Sequence, residues 1–551
     1  MNSKHSFIVL TLLAAGLIAP PVSADENAED AKWETYIRNG VAQSVRHGDS
    51  VWTKVGDGLV GSGEHNYLFA RQELHSGDFC VRVRLSLDQL SDSAASFDIG
   101  FNQFGFDGDQ PGRHNLFEQK TTDFESTIQS GTPFEFEAAR RGSTLIISID
   151  GKEVWRTGII HQHDYPVRFG LHPGRTTMRV YEFAATGNLV DVPKLLLINP
   201  KLPRGYSIPQ IDLAGDKHRQ VIVDREPGQY LGHPTTVLMA DGKTIFCVYP
   251  KGHGGPDALL KKSTDGGLTW SERLDVPDNW RTANNGPSLH RFMDPHGVER
   301  LFVLEGNPHM RQAMSLDQGE TWTPFKRNGL HCTVPPNTAV PISGNRYLIL
   351  YALNHRAGGH DIKIWQTITG DGGLTWGPER IVAETEGAAP DEPCTILSPD
   401  GKQILALMRE NQRRCNSLYM LSDDEGKNWT IPRELTASLT GDRHVFQYAS
   451  DGRLVISFRD RAHESPTKGD WVVWVGTYDD IIQGREGEYR MRLMDNLVEN
   501  DSSYPGMELL SDGTFVATTY GHWVEGEMPF IMSVRFTLSE TDALARRFTG
   551  K

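Results

Sequence analysis

The chain has few cysteines and no apolar segment long enough to cross a membrane. Its 551 residues include five cysteines, an odd number without any C-x-x-C spacing. This scatter argues against a disulfide framework and against a zinc site. Buried thiols are the main expectation, and a pair between Cys394 and Cys415 is the alternative if neighbouring strands bring the two together.

Positive charge is also in short supply. The chain has 56 lysines and arginines against 71 acidic residues, a formal net charge of −15. Long-range forces therefore repel polyanions, and nucleic acid is not an expected partner. An anionic sugar can still bind, because a local arginine cluster acts over a few ångströms whereas distant charge is screened beyond roughly 10 Å.

The first 24 residues predict an export signal. Lys4 and His5 form a short basic start, residues 7–18 form an apolar run, and Val22-Ser23-Ala24 form a cleavage site of small residues. A run of about a dozen residues is too short to span roughly 30 Å of hydrocarbon. We therefore predict a signal peptide over residues 1–24 and a periplasmic or secreted protein, without an integral membrane segment after cleavage.

Long helical patterns are rare, whereas turn residues are abundant, with 55 glycines and 30 prolines. Short apolar segments broken by turns predict an all-β chain. Residues 25–188 lack a fixed repeat, and their antiparallel segments predict a β-sandwich. The prolines after residue 189 favour a stiff linker over residues 189–218.

Residues 219–541 contain an internal repeat, and residues 542–551 are predicted to form a tail. One pattern occurs four times: "STDGGLTW" from Ser263, "SLDQGETW" from Ser315, "TGDGGLTW" from Thr369 and "SDDEGKNW" from Ser422. The terminal tryptophans are 52, 54 and 53 residues apart, a spacing typical of repeat architectures. Six predicted hairpins alternate with this pattern, five with a tight turn, such as "TTVLMADGKTIFCVY", and one, "PSLHRFMDPHGVERLFVL", with a longer turn. Together they predict a six-bladed β-propeller, with residues 219–224 as the strand that closes the ring.

The recurring S-x-D-x-G-x-T-W motif is the Asp-box, and its repetition over roughly residues 221–538 resembles the sialidase (neuraminidase) superfamily, also called the BNR-repeat propellers. The resemblance implies that the Asp-box aspartates bind turn amides and that the tryptophans pack between blades, so Asp265, Asp317, Asp371 and Asp424 are not expected to be catalytic. The stretches "FEFEAARRGSTLIISIDGKEVW" and "FGLHPGRTTMRVYEF" resemble concanavalin-like jelly rolls. A glycan-binding role and a structural role both remain open for that domain.

The same resemblance assigns catalytic roles. Tyr504, which opens the first strand of blade six, matches the family's nucleophilic tyrosine, and Glu392, which opens that of blade four, matches the carboxylate that activates it. A neutral phenol avoids the repulsion between an anionic nucleophile and an acidic sugar. A core aromatic and a structural ion pair are the alternatives for these two residues. Asp257 is the expected proton donor, and His253 in the same loop is the alternative.

Arginines after the apolar strands are expected to bind the acid group of the sugar. Arg409 and Arg459 resemble two members of the family's arginine triad, since guanidinium groups suit bidentate carboxylate recognition. Arg443 is a nearby substitute, and ion pairs with Glu410 and Asp460 are the alternative for the first two. The first arginine of the triad is missing, and His233 occupies its position, so Arg225 or Arg281 is expected to complete the triad unless the acid group is held differently.

Other polar residues are weaker candidates. Tyr520 is a further expected substrate-binding residue, and Asn284, Asn285 and His522 share its predicted location. The Asp107–Asp109 and His161–His163 clusters lack a full ligand set, so no metal and no cofactor are expected. The sequence thus predicts an exo-acting, retaining glycoside hydrolase that releases a terminal acidic sugar from a glycan. The alternatives are a related enzyme for a uronic or neutral sugar and a noncatalytic glycan-binding protein.

Overall fold

The computed structural model describes residues 32–47, 52–63, 66–100, 102–106, 112–116, 122–124, 128–158, 168–191, 199, 201–306, 308–354, 362–384 and 388–549. Regular structure in these ranges is almost entirely β-strand, which confirms the predicted all-β class. The predicted signal peptide and the Asp107–Asp109 and His161–His163 clusters lie outside the described residues.

The N-terminal part contains two antiparallel sheets. Its strands are, in chain order, β1 (Glu34–Arg38), β2 (Val41–Ala42), β3 (Val45–His47), β4 (Thr53–Val55), β5 (Gly58–Gly63), β6 (Leu68–Ala70), β7 (Gln72–Leu87), β8 (Ser96–Ile99), β9 (Asn102–Gly105), β10 (Gly112–Leu116), β11 (Thr122–Phe124), β12 (Phe134–Arg141), β13 (Thr144–Ile149), β14 (Lys152–Gly158), β15 (Phe169–His172) and β16 (Gly174–Asp191). One sheet has the order β14-β13-β12-β7-β16-β1-β2, with β5 and β4 joined to β16, and the other has the order β11-β10-β9-β8-β15-β6-β3.

A single apolar core lies between these two sheets. Alternate residues of β7, among them Val81, Val83 and Leu85, are fully buried because successive strand side chains point to opposite faces. Phe97 of the facing sheet packs against Phe136, with ring centres 4.9 Å apart. The two sheets therefore form a β-sandwich.

The remaining strands form six further sheets. They are, in chain order, β17 (Gln210–Asp212), β18 (Gln220–Asp224), β19 (Thr235–Leu238), β20 (Ile245–Pro250), β21 (Ala258–Ser263), β22 (Ser288–Met293), β23 (Glu299–Glu305), β24 (His309–Ser315), β25 (Lys326–His331), β26 (Ala339–Ile342), β27 (Arg346–Asn354), β28 (Ile362–Thr369), β29 (Arg380–Ala383), β30 (Pro390–Leu397), β31 (Ile404–Glu410), β32 (Leu418–Ser422), β33 (Arg433–Glu434), β34 (Gly441–Tyr448), β35 (Leu454–Asp460), β36 (Trp471–Gly476), β37 (Tyr489–Met494), β38 (Gly506–Leu509), β39 (Thr514–Gly521) and β40 (Phe530–Thr537). We number the sheets 1 to 6 by their inner strands β19, β22, β26, β30, β34 and β38.

The few helices are short. Two α-helices, α1 (Tyr478–Ile482) and α2 (Leu538–Thr549), accompany 3-10 turns at Lys217–Arg219, Asp278–Thr282 and Ala437–Leu439. Helix α2 spans most of the segment that the sequence predicted to be a tail. Within the described ranges, no helix combines the length and the apolarity that a membrane crossing requires.

The six sheets close into a ring. Strand β18 pairs antiparallel with β40, so residues near the start of this region complete the last sheet, as predicted for residues 219–224. Hydrogen bonds link neighbouring sheets, for example Thr236 Oγ1 to Glu508 Oε1 between sheets 1 and 6 (2.8 Å) and Gln447 Nε2 to the Met507 carbonyl between sheets 5 and 6 (2.8 Å). Apolar clusters fill the spaces between successive sheets.

The Asp-boxes stabilise the outer turns of this ring. Asp371 Oδ1 accepts hydrogen bonds from the backbone amides of Leu374 and Thr375, at 3.0 and 2.9 Å. The tryptophan of each box contacts the preceding sheet: Trp376 donates to Gln312 (2.9 Å), and the equivalent Trp429 donates to Gln366 (2.7 Å). The aspartates and tryptophans thus occupy the predicted turn and inter-sheet positions.

A buried ion cluster joins the sandwich to sheet 3. Lys363 Nζ lies 3.0 Å from Glu73 Oε2 and 3.3 Å from Glu384 Oε2, and Arg168 Nη2 lies 2.6 Å from Glu384 Oε1. Lys363 and Glu73 are almost completely buried. All five cysteines are free and buried, so the alternative Cys394–Cys415 bond is not formed. The predicted domain boundaries stay predictions.

Candidate active site

Residues with positive φ lie at or just before the start of several inner strands, at one end of the ring. His233, Glu392 and Arg443 precede the inner strands of sheets 1, 4 and 5 or lie at their start, with φ of 48°, 48° and 54°. Ser503, with φ of 62°, directly precedes Tyr504 in sheet 6. Non-glycine residues seldom adopt positive φ, and each such residue costs of order 1–3 kcal/mol. In sheets 4 and 5 the strand register also shifts at these residues, and this bulge turns their side chains away from the regular strand alternation.

Tyr504 and Glu392 are in direct contact. The Tyr504 hydroxyl donates a short hydrogen bond to Glu392 Oε1. Arg409 Nη1 donates to the same hydroxyl at 2.9 Å and lies 3.0 Å from Glu392 Oε1. A phenol, a carboxylate and a guanidinium group from sheets 6 and 4 thus meet at one point.

The electrostatics of this group keep the phenol neutral and the glutamate ionised. Burial raises the pKa of Tyr504, and the negative charge of Glu392 raises it further. Burial would also raise the pKa of Glu392, but the positive charges of Arg409 and Arg443 outweigh it and lower that pKa below its usual value. Glu392 can therefore accept the phenol proton at neutral pH.

Asp442, which the sequence analysis did not single out, organises the arginines. Its fully buried carboxylate binds Arg459 through Nε (2.9 Å) and Nη2 (2.7 Å), and Arg413 through Nη1 (2.5 Å) and Nη2 (2.9 Å). Arg409 Nε lies 3.6 Å away. Burial would raise the pKa of Asp442, but these arginines outweigh it and hold the pKa far below its usual value.

The predicted binding arginines therefore differ in how many donors they can offer. Arg459 is only 4% exposed, and its Nη1 donates to the carbonyls of Asn500 (2.5 Å) and Ser502 (3.1 Å) while its other nitrogens bind Asp442. Arg443 donates to the Pro335 carbonyl (3.3 Å), and its guanidinium lies 5.6 Å from the centre of the Tyr504 ring. Arg409 and Arg459 pair with Asp442 rather than with Glu410 or Asp460, the ion-pair alternative considered from sequence.

His233 lies against Tyr504, where the resemblance predicts an arginine. Their rings stack with centres 4.3 Å apart, and the His253 ring meets His233 edge-on at 4.6 Å. Burial, with His253 and the nearby arginines, holds the pKa of His233 well below its usual value, so this ring is neutral. Its buried Nε2 atom has no hydrogen-bond partner among the described residues.

Asp501 is a second functional candidate that the sequence analysis missed. Its carboxylate accepts hydrogen bonds from Tyr230 (2.6 Å), His522 Nε2 (2.8 Å) and Tyr520 (3.2 Å), and His253 Nδ1 lies 3.3 Å away. Its position three residues before Tyr504 was the available sequence signal. In the structure, Arg459 binds the carbonyls of the adjacent Asn500 and Ser502. The predicted substrate residues Tyr520 and His253 thus belong to one polar cluster beside the stacked rings.

The contacts of the other predicted residues among the described residues do not include Tyr504. Asp257 is one-third exposed, and its carboxylate lies 3.7 Å from Lys251 Nζ in the same loop. Arg281 is highly exposed and lies 4.0 Å from Asp278, while Arg225 pairs with Glu527 at 2.5 Å. Arg225 therefore has a close acidic partner, whereas Arg281 is solvent-exposed.

The site contains buried polar atoms that no described protein group satisfies. Glu392 Oε2 and Arg409 Nε, like His233 Nε2, are buried without a hydrogen-bond partner in the described part of the chain. Such atoms cost free energy unless a bound molecule or water satisfies them. A cavity of about 360 Å³ on the ring axis opens elsewhere, beside His290 and Glu508. No cluster of three or more potential metal ligands occurs among the residues that the structure describes.

Comparisons with known proteins agree with the repeat motif. The family described as "BNR repeat-like domain" matches residues 345–490, which span sheet 4 and most of sheets 3 and 5. A sialidase of Micromonospora viridifaciens is 27% identical over 32% of this chain and 29% of its own length. A sialidase of Clostridium perfringens is 22% identical over 32% of this chain and 49% of its own length. The chain thus spans less than half the length of these two curated relatives.

Solved structures with partial similarity to this chain include two at low identity. The NanB sialidase from Streptococcus pneumoniae covers 85% of this chain, with 96% of its own chain covered, at 12% identity and a TM-score of 0.40. A protein of unknown function from Dyadobacter fermentans covers 57% of this chain, with 97% of its own chain covered, at 16% identity and a TM-score of 0.47.

Proposed function

We propose that this BNR-repeat protein, a chain of the sialidase superfamily, is an exo-acting glycoside hydrolase that releases a terminal acidic sugar with retention of configuration. The observation that carries the proposal is the hydrogen bond from Tyr504 to the buried Glu392 carboxylate, beside Arg409. A structural tyrosine has no need of an ionised carboxylate and a guanidinium group on the same hydroxyl. These partners suit a nucleophile with its base.

In the proposed reaction Tyr504 Oη attacks the anomeric carbon while its proton passes to Glu392. The glycosidic carbon–oxygen bond breaks, and a proton donor protonates the departing oxygen. Water then displaces Tyr504 from the sugar and gives a proton back to the proton donor, while Glu392 returns its proton to the phenol. Two displacements retain the configuration at the anomeric carbon. This chemistry requires no cofactor.

The local charge favours an anionic sugar despite the acidic chain. Five arginines, Arg409, Arg413, Arg443, Arg459 and Arg461, surround Tyr504 and Asp442. The carboxylates that oppose them are Glu392 and Asp442, whose pKa values are lowered, Glu499, which lies 3.9 Å from Arg461, and Asp391, whose pKa is raised to about 7 by burial, so positive charge is still in excess. Arg409 and Arg443 are the proposed contacts for the acid group, and Arg459 supports the loop that carries Tyr504.

A second candidate substrate is a uronic or neutral terminal sugar. The neutral His233 occupies the position of the expected third arginine, and most donors of Arg459 are occupied by protein groups. Both facts weaken the expected binding of an acid group attached to the anomeric carbon. The sandwich is proposed to support or bind the glycan, and export through residues 1–24 stays a prediction.

The test is hydrolysis of aryl glycosides of sialic, ulosonic, uronic and neutral sugars by the wild-type protein and by Tyr504→Phe. We expect turnover of at least one acidic sugar, its loss in Tyr504→Phe, and a covalent adduct on Tyr504 when a fluorinated glycosyl fluoride is added to the wild type. Tyr448→Phe is the matched control, because that hydroxyl binds the Leu397 carbonyl between sheets 4 and 5. Full activity in Tyr504→Phe would refute the nucleophile, and glycan binding without turnover of any substrate would favour a noncatalytic binding protein.

A further inference from the structure

We infer that His253, held in one tautomer by Asp501 and Tyr230, is the proton donor of the site, and that Asp501 is its positioning residue. This inference rests on the proposed glycosidase function. It replaces the sequence-based preference for Asp257. It adds a role for Asp501, a residue that neither the Asp-box nor the strand openings identify.

The hydrogen bonds around His253 fix which nitrogen carries the permanent proton. Tyr230 donates its hydroxyl proton to Asp501 Oδ1 at 2.6 Å, so its oxygen can accept from His253 Nδ1, which lies 2.9 Å away. His253 Nδ1 also lies 3.3 Å from the Asp501 carboxylate. Both neighbours of Nδ1 are acceptors, and Nδ1 therefore holds a proton in the neutral ring.

Asp501 is suited to remain a carboxylate in this arrangement. Burial would raise its pKa, but hydrogen bonds from His253, Tyr230 and His522 outweigh burial and keep the pKa well below its usual range. An ionised acceptor at Nδ1 orients the ring and fixes its tautomer. The other nitrogen, Nε2, is then the atom that gains and loses a proton.

The position of His253 suits transfer to a departing sugar. The ring is well exposed, and it meets His233 edge-on at 4.6 Å, while His233 stacks on Tyr504 at 4.3 Å. The groups that face it are His233 and Tyr230 from the segment before sheet 1 and Asp501 from the loop before sheet 6, with Lys251 and Asp257 in its own loop. Asp257, by contrast, is paired with Lys251 at 3.7 Å.

His253 donates a proton in the first half of the reaction and accepts one in the second. As the Tyr504–sugar bond forms, the electrons of the breaking glycosidic bond go to the departing oxygen, which takes the proton from His253 Nε2. In the second half, water forms a bond to the anomeric carbon, loses a proton to Nε2 and displaces Tyr504. The imidazolium is restored, and the net change is hydrolysis.

The kinetic test compares His253→Gln, Asp501→Asn and Asp257→Asn, with His218→Gln, on an exposed turn, as the control. An acid catalyst matters most for a poor leaving group. For His253→Gln we expect a loss of about 10²–10⁴-fold in kcat/KM on an alkyl glycoside or glycan, and a much smaller loss on the 4-nitrophenyl glycoside. Added azide should restore turnover of the 4-nitrophenyl glycoside as a glycosyl azide of retained configuration.

The pH profile distinguishes positioning from a structural role. The wild-type kcat/KM should fall on the alkaline side as Nε2 loses its proton, and this limb should vanish in His253→Gln. In Asp501→Asn the limb should remain, while the leaving-group dependence of kcat/KM should resemble that of His253→Gln, because the ring is no longer held in one tautomer. Azide rescue of Asp257→Asn, together with unchanged leaving-group dependence in His253→Gln, would overturn the inference while leaving the proposed function intact.

A second measurement does not depend on turnover. Nitrogen-15 NMR of histidine-labelled protein, with the His253 signal assigned by its loss in His253→Gln, should show the Nδ1–H tautomer above the titration point. That preference should disappear in Asp501→Asn. An Nε2–H tautomer in the wild type would refute the inference, whereas absence of turnover of every glycoside would refute the proposed function together with it.

Discussion

Replacing Glu392 by glutamine provides the sharpest quantitative test of the site. Glu392 Oε1 accepts the hydrogen bond of Tyr504 and lies 3.0 Å from Arg409 Nη1. The phenol pKa is raised by burial and by this carboxylate, so at neutral pH Tyr504 attacks only if a base removes its proton. An amide keeps the shape of the side chain and cannot take that proton.

The expected loss follows from the size of general-base catalysis. A positioned base contributes about 10²–10⁴-fold, which corresponds to about 3–5 kcal/mol of transition-state stabilisation. We therefore expect kcat/KM of Glu392→Gln to fall by that factor, mainly through kcat, since Arg409 and Arg443 still bind the sugar. The pKa of Glu392 is lowered, so the difference should persist from pH 6 to pH 8.

The assay is steady-state hydrolysis of the best aryl glycoside across that pH range, with circular dichroism to verify the fold. Glu508→Gln is the matched control, a buried glutamate of the same ring whose carboxylate binds Thr236 instead of Tyr504. A Glu392→Gln variant within tenfold of wild type, with a folded spectrum, would refute the base assignment. An equal loss in Glu508→Gln would show that any buried glutamate of the ring is required.

Further predictions concern stability. Burial raises the pKa of Glu508 to about 7, so the stabilising contribution of the protonated side chain is complete below its unfolded pKa and is lost as pH rises through about 7. The free energy of unfolding of Glu508→Gln relative to wild type, measured with urea, should therefore be higher at pH 8 than at pH 4, by at most about 3 kcal/mol. An equal difference at the two pH values would contradict this. Asp371→Ala removes the acceptor for Leu374 and Thr375 amides and should cost about 1–2 kcal/mol without changing kcat/KM, so a large kinetic effect would refute its structural role. Lys363→Met removes the positive charge between Glu73 and Glu384 and leaves Arg168 to oppose them, so the free energy of unfolding should fall by about 3–5 kcal/mol. A thermal midpoint equal to that of wild type would show that the ion cluster between sandwich and ring does not stabilise the protein.

The starts of the inner strands are the part of the site that the sequence predicted. The repeated hairpins located the starts of the inner strands, and Tyr504 and Glu392 were predicted there before their contact was known. The pattern also contained a signal that went unused: His233, Glu392 and Tyr504 each precede a proline at the start of an inner strand. Proline normally restricts the residue before it to extended backbone, yet His233 and Glu392 have positive φ, so this signal marks where the residues lie and not the conformation that they adopt.

The contacts of the arginines could not be predicted from the sequence. Spacing predicted that Arg409 and Arg459 leave equivalent strands, but not that Asp442, in another strand, takes up most of the donors of Arg459. Asp501 was missed for the same reason, since its partners Tyr230, His253 and His522 are far from it in the chain or lie in another sheet.

What the sequence determined by itself was the local part: turns, strand periods and Asp-boxes, because each rests on contacts within a few residues of the chain. Their regular spacing also implied a ring, since a repeating unit of strands must bury its faces against its neighbours. Which side chains meet inside that ring was decided only by the tertiary structure. Distances and charges across sheets depend on strand bulges and on burial, which give Glu392 and Asp442 their lowered pKa values and Tyr504 its raised one.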